Sequence, residues 1–142
     1  MEQEEKLLNK IYQNTKMGEE SINILLRTLD DSKLRSDLIT QMEGYASFNA
    51  RAKRRLYENR GNPEEEPFLT KLMSGGMIRL NAKAADTPGK IARMMIEGST
   101  MGIVDAKRAL SECPNSSEPT RKLAGDVITF EQNNIERLKG YL

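Results

Sequence analysis

The sequence predicts an all-α bundle of four long helices with a long crossover, carrying a short extra helix, between the second and the third. Three observations carry the prediction. Apolar residues recur three and four apart through almost the whole chain, the mark of helices that bury one stripe. No stretch alternates with period two for long enough to form a sheet. The first and last connections between helical patterns are tight, whereas about 27 residues separate the second helix from the third, enough to travel along the bundle. At 142 residues the chain reads as one domain, residues 1–142, because two independent cores would each be too small.

The first helix is expected over about residues 3–29, with Leu8, Ile11, Tyr12, Thr15, Gly18, Glu19, Ile22, Leu25, Leu26 and Leu29 as its inward stripe. Asp30 and Asp31 supply a turn and an N-cap, and Leu34, Leu38, Met42, Tyr45, Asn49, Ala52 and Leu56 mark a second helix over about residues 32–59. Each long helix spans roughly 40 Å at about 1.5 Å per residue. Gly61 is a natural stop and Asn62-Pro63 a turn. A short or broken helix is expected over residues 67–84, where Phe68, Leu69, Leu72, Met73, Met77 and Leu80 share a face around Gly75-Gly76. Thr87 as N-cap with Pro88 at the first helical position opens a helix over residues 88–112, and CPNSSEP separates it from a last helix over residues 119–141.

Composition removes several classes of function. Lys and Arg number 22 against 21 Asp and Glu, a net charge of +1, so no global field draws in nucleic acid or an anionic membrane. One cysteine, Cys113, allows no intrachain disulfide, and no leader or membrane-spanning apolar run is evident; the expectation is a cytoplasmic protein that does not enter a membrane. Histidine is absent, which excludes Ser-His, Cys-His and zinc-histidine constellations. Tryptophan is absent too and aromatic content is 5%, which disfavours a base-stacking platform.

The informative residues are polar ones at positions that the helical pattern assigns inward. In FEQNNIERL, Glu131 and Asn134 share a stripe with Ala124, Val127 and Leu138. The first helix offers Glu19, or Glu20 if it is rotated. The third offers Glu97 in MMIEGSTMG, in line with Met94, Met101 and Val104, and the second offers Asn49 in YASFNARAKRRL with Ala46 three residues earlier. Carboxylate-bridged di-iron bundles place a Glu on each of two helices and Glu-x-x-His on the other two. Against that plan the chain keeps three candidate carboxylates, Glu19, Glu97 and Glu131, with Ala46 where a Glu would stand and asparagines, Asn49 and Asn134, in the histidine positions.

On the helix layout, the RRLYENRGNPEE exit of the second helix, the IEG of the third and the final E-x-x-N, the chain resembles the ferritin-like superfamily, more narrowly its small bacterial bundles of unknown function, related at a distance to rubrerythrin-like and stress-induced ferritin-like domains. The resemblance implies the fold. It does not carry the superfamily's metal chemistry, because Ala46 has no ligand atom and an amide nitrogen offers a metal no lone pair. Buried carboxylates without a cation need another partner. The expectation is that the Asn134 and Asn49 amides donate to Glu131 and a neighbouring Glu, and so fix helix register.

Two readings follow. The first is a non-enzymatic ferritin-like bundle without a cofactor, a structural or protein-interaction module that dimerises through an apolar helical face. The alternative is a protein of the same fold that holds iron or another divalent ion on Glu19, Glu97 and Glu131. A third reading, nucleic-acid binding by Arg51, Lys53, Arg54, Arg55 and Arg60 in ARAKRRLYENR, is the weakest, since a helix C-terminus favours basic residues and Glu64 to Glu66 stand ready to pair with them. Met73, Met77, Met94, Met95 and Met101 read as core filler. Gly98 and Gly102 offer a close helix contact, and Cys113 reads as a structural thiol.

Overall fold

A computed structural model describes residues 2–65 and 87–142. The described residues form four helices and no strand: α1 (Glu2–Leu25), α2 (Ser32–Glu58), α3 (Pro88–Glu112) and α4 (Glu118–Leu138), followed by a 3-10 turn over Lys139–Tyr141. The all-α expectation holds. The short helix expected over 67–84 lies outside the described residues.

The helix ends follow local chemistry. α1 stops four residues before the expected Leu29, relaxing into shorter-range hydrogen bonds such as Arg27 N to Ile24 O at 3.1 Å. The guanidinium of Arg35 takes up the freed carbonyls of Leu26 and Leu29 at 2.6 and 2.8 Å. Asp31 caps α2 by accepting from Leu34 N at 2.8 Å, and Thr87 caps α3 ahead of Pro88. α4 begins one residue early because Ser117 is its cap. At the end of α2 the left-handed residue is Arg60, with φ of 61°, rather than Gly61. Gly61 N reaches Leu56 O at 2.7 Å and Arg60 N reaches Tyr57 O at 3.0 Å, the paired bonds of a Schellman motif.

Side-chain pairs fix the helix directions. α1 and α2 are antiparallel, since Glu4 meets Arg55 and Leu29 meets Arg35. α1 and α3 are antiparallel, with Lys6 on Glu112 and Asn14 on Gly102. α2 and α4 are antiparallel, Arg55 meeting Thr120 and Asp37 meeting Arg137. α2 and α3 therefore point the same way.

The core has two apolar clusters. One gathers Ile22, Leu25, Leu34, Leu38, Ile91 and Leu138 near one end; the other gathers Leu8, Ile11, Leu56, Ala109, Leu123 and Val127 near the opposite end. Tyr45 closes the first cluster, its ring edge-on to Phe130 at 4.9 Å. Between the clusters lies a layer of buried polar side chains. No helix among the described residues is long and apolar enough to cross a membrane.

Candidate functional site

The polar layer is built from one or two positions on every helix. Glu131 lies one turn after Val127 on the inward face of α4 and is 2% exposed. Its Oε1 accepts from the Tyr45 hydroxyl at 3.0 Å, and that hydroxyl is 3.5 Å from Ser99 Oγ on α3. From α1, Asn14 donates to the Gly102 carbonyl at 2.9 Å. A Cβ at position 102 would stand 2.5 and 2.7 Å from the two Glu131 oxygens and 2.9 Å from Asn14 Oδ1, so the carboxyl occupies space that only glycine leaves open. Gly18 does the same for the Tyr45 ring, whose carbons come within 2.6 Å of where its Cβ would be.

Burial pushes the Glu131 carboxyl up to about 8; the Tyr45 hydrogen bond opposes this, the charge of Asp105 adds to it, and the Asn14 amide again opposes it. At neutral pH Glu131 is therefore mostly a neutral acid. Its Oε2 has no hydrogen-bond partner among the described residues. Burial, and then the neighbouring Glu131 charge, raise the Tyr45 phenol well above its usual range.

Three of the polar residues expected inward are there: Asn49, Glu131 and Asn134 are all buried. Asn49 Nδ2 donates to half-buried Glu19 Oε1 at 2.7 Å, pairing the amide with a neighbouring carboxylate as expected. Asn134 departs from expectation. It stands beside Tyr45 with Nδ2 unpartnered among the described residues, and Tyr45 takes its place as donor to Glu131.

Glu97 is exposed and paired with Arg93 at 3.3 Å. The inward face of α3 runs through Ile91, Ala92, Met95, Ser99, Ala106 and Ala109, whereas Met101 and Val104 are 67% and 49% exposed. Because apolar residues lie on both faces of α3, two stripes satisfy the same spacing, and the expected one is the outer. Glu19, Glu97 and Glu131 thus do not share one centre. Among the described residues no three Cys, Asp or Glu side chains are placed to hold a metal ion. The described residues do not assemble the ligand set of a di-metal site: Glu97 faces outward, Ala46 offers nothing, and the amide of Asn49 is engaged by Glu19.

Sequence reasoning missed Tyr45 as a donor and missed Asn14 and Ser99 altogether; of the two glycines expected to allow a close contact, Gly102 does so, against Glu131 and Asn14. The available signals were Tyr45 one turn before Asn49, and two small residues, Ser99 and Gly102, spaced to leave a gap opposite a long side chain. Alongside this layer, α1 and α3 part to form a groove of about 550 Å³, with Met17, Met94, Met95 and Met101 among its walls and Tyr45, Ser99 and Glu131 at its inner end.

The basic end of α2 is partly consumed by structure. Arg55 Nη2 lies 3.3 Å from Glu4 and donates to Thr120 at 3.0 Å, and Arg51 stacks over Phe48. Glu65, expected to pair with that basic end, instead accepts from Tyr12 at 2.6 Å. Cys113 is buried, and burial raises its thiol, as suits a structural residue.

Comparison with protein-family models, with curated proteins and with solved structures finds no match to this chain.

Proposed function

We propose that the protein is a non-enzymatic, cytoplasmic helical bundle of ferritin-like layout that acts as a structural or protein-interaction module. One observation carries the reading: the carboxylates at the bundle centre are held by neutral donors of the same chain, Glu19 by Asn49 at 2.7 Å and Glu131 by Tyr45 at 3.0 Å, while Glu97 is outside. The centre serves helix register in place of metal chemistry.

Helix directions support the layout. With α2 and α3 parallel, the end of α2 and the start of α3 lie at opposite ends of the bundle, which supports a long crossover. Its first residues start that way: Glu64 N bonds to Asn9 on α1 and Glu65 to Tyr12, one turn further on. The interaction face is the outer side of α3, where Met101 and Val104 are exposed near Gly98, at which an added Cβ would meet nothing within 4 Å among the described residues. Its simplest partner is a second copy.

Two measurements test this. Protein purified without chelator should hold no stoichiometric metal and should not consume oxygen with Fe(II); metal that disappears in Glu131→Ala would overturn the reading. Sedimentation should show a dimer that Met101→Lys with Val104→Lys returns to monomer at unchanged helicity. A monomer at every concentration would exclude self-association.

A further inference from the structure

We propose that the groove between α1 and α3 binds an amphipathic organic cation, its apolar body against the methionines and its ammonium head on Glu131. At about 550 Å³ the groove falls in the range of small-molecule sites. Its walls carry the thioethers of Met17, Met94, Met95 and Met101, unbranched and polarizable side chains that adapt to flexible apolar bodies.

The inner end supplies the head-group contact. Glu131 is 2% exposed, lines the groove and has an oxygen, Oε2, without a partner among the described residues. Buried polar groups are normally satisfied, and an exception asks for an explanation. Gly102 provides the geometry: with no Cβ there, the carboxyl lies at the α3 backbone that borders the groove. Oε2 itself is shielded from water, so a donor arriving along the groove engages it as the flexible side chains there shift, while Oε1 stays on Tyr45.

Charge selects the kind of donor. Asp105 and Glu131 border the groove, and the other carboxylates on its walls, Glu97 and Glu112, pair with Arg93 and Lys6; the basic residues that line it, Lys10 and Arg108, are exposed. Asp105 is close enough for its charge to oppose ionisation of Glu131. A cationic head relieves that repulsion, whereas a carboxylate head would add to it.

The test uses the full chain with carbon-13 methionine methyls, titrated at pH 8 with n-octylammonium chloride below its micellar range, alongside 1-octanol and octanoate. Expected is saturable one-to-one binding that shifts the Met17, Met94, Met95 and Met101 methyls. Affinity should drop at least tenfold for octanol, for octanoate and for Glu131→Gln, and severalfold for the exposed Asp105→Asn, which leaves the buried layer intact. Equal affinity for octanol and octylammonium, or an unchanged Glu131→Gln, would overturn the site in favour of a merely apolar groove. The absence of saturable shifts also overturns it. Sedimentation of the same samples then separates the causes: silence in a monomer leaves the proposed module untouched, and silence in a dimer assigns the groove to the second copy.

Discussion

Tyr45 and Glu131, 86 positions apart in the chain, meet at 3.0 Å in the middle of the bundle, the phenol donating to the carboxyl and both groups shielded from water. The carboxyl's folded value of about 8 lies above the 4.5 of the unburied group. Below pH 4.5 both folded and unfolded chains are protonated there, and the site carries no penalty. Between 4.5 and 8 the unfolded chain releases its proton while the folded one keeps it, so stability falls as pH rises, by up to about 1.4 kcal/mol per unit. Glu131→Gln removes that slope. In urea unfolding the variant should match the parent near pH 4.5 and gain on it steadily up to pH 8, by a few kcal/mol; a constant difference across the range would refute the assignment.

Gly102 and Gly98 sit one turn apart on α3 and answer differently to the same change. An added methyl at 102 meets both Glu131 oxygens and Asn14, whereas at 98 it meets nothing within 4 Å. Gly102→Ala should destabilise by about 1–3 kcal/mol through overpacking. Gly98→Ala should be neutral or stabilise by up to about 1 kcal/mol through helix propensity. Chemical denaturation of the two single variants decides it.

At the opposite end of the molecule Glu4 ties three helices together. Its Oε2 accepts from Thr120 at 2.6 Å and Ser117 Oγ at 2.9 Å, and its Oε1 accepts from Ser117 N at 2.7 Å. Burial pushes this carboxyl up, but the hydrogen bonds from Thr120, Ser117 and Arg55 outweigh it and hold the group below its ordinary value. The resulting stabilisation is present above pH 4.5 and is lost as pH falls through the lowered value. Glu4→Gln should cost about 1–3 kcal/mol at pH 7, and less in acid, as thermal unfolding at pH 7 and pH 3 would show.

Arg60 holds a positive φ of 61° to close the Schellman motif. A residue with a Cβ is strained there by about 1–2 kcal/mol, and glycine is not. Arg60→Gly should therefore raise the urea midpoint, by about 0.5–1 kcal/mol net of the extra freedom glycine gives the unfolded chain. A lowered midpoint would mean that the arginine side chain contributes more than its backbone loses.

Helix positions and capping residues are legible in the sequence because they rest on local rules: Asp31, and Thr87 with Pro88, act within one turn of their own position. The inward turn of Glu131, Asn134 and Asn49 is legible because each interrupts a single unambiguous stripe. α3 defeats the same reasoning, since methionines and small residues lie on both of its faces and periodicity alone cannot choose between Met95-Ser99 and Met94-Met101. Hydrogen-bond partners across the bundle are legible only for Asn49, which meets a neighbouring carboxylate as expected. Tyr45 finds Glu131, and not Asn134, because of how two distant helices settle against each other around Gly18 and Gly102.

The α1–α2 pair completes its own polar contact, Asn49 on Glu19, without α4. Glu131 gains its hydrogen-bond donor, Tyr45 from α2, and its neighbour Asn14 from α1 only when the other pair arrives. A carboxyl that is ionised while the two halves stand apart in neutral water becomes a neutral acid once they close. Closing the bundle is thus a reaction with a proton among its reactants, and acidification of the surroundings drives it forward by mass action until the Glu4 knot at the far end begins to fail.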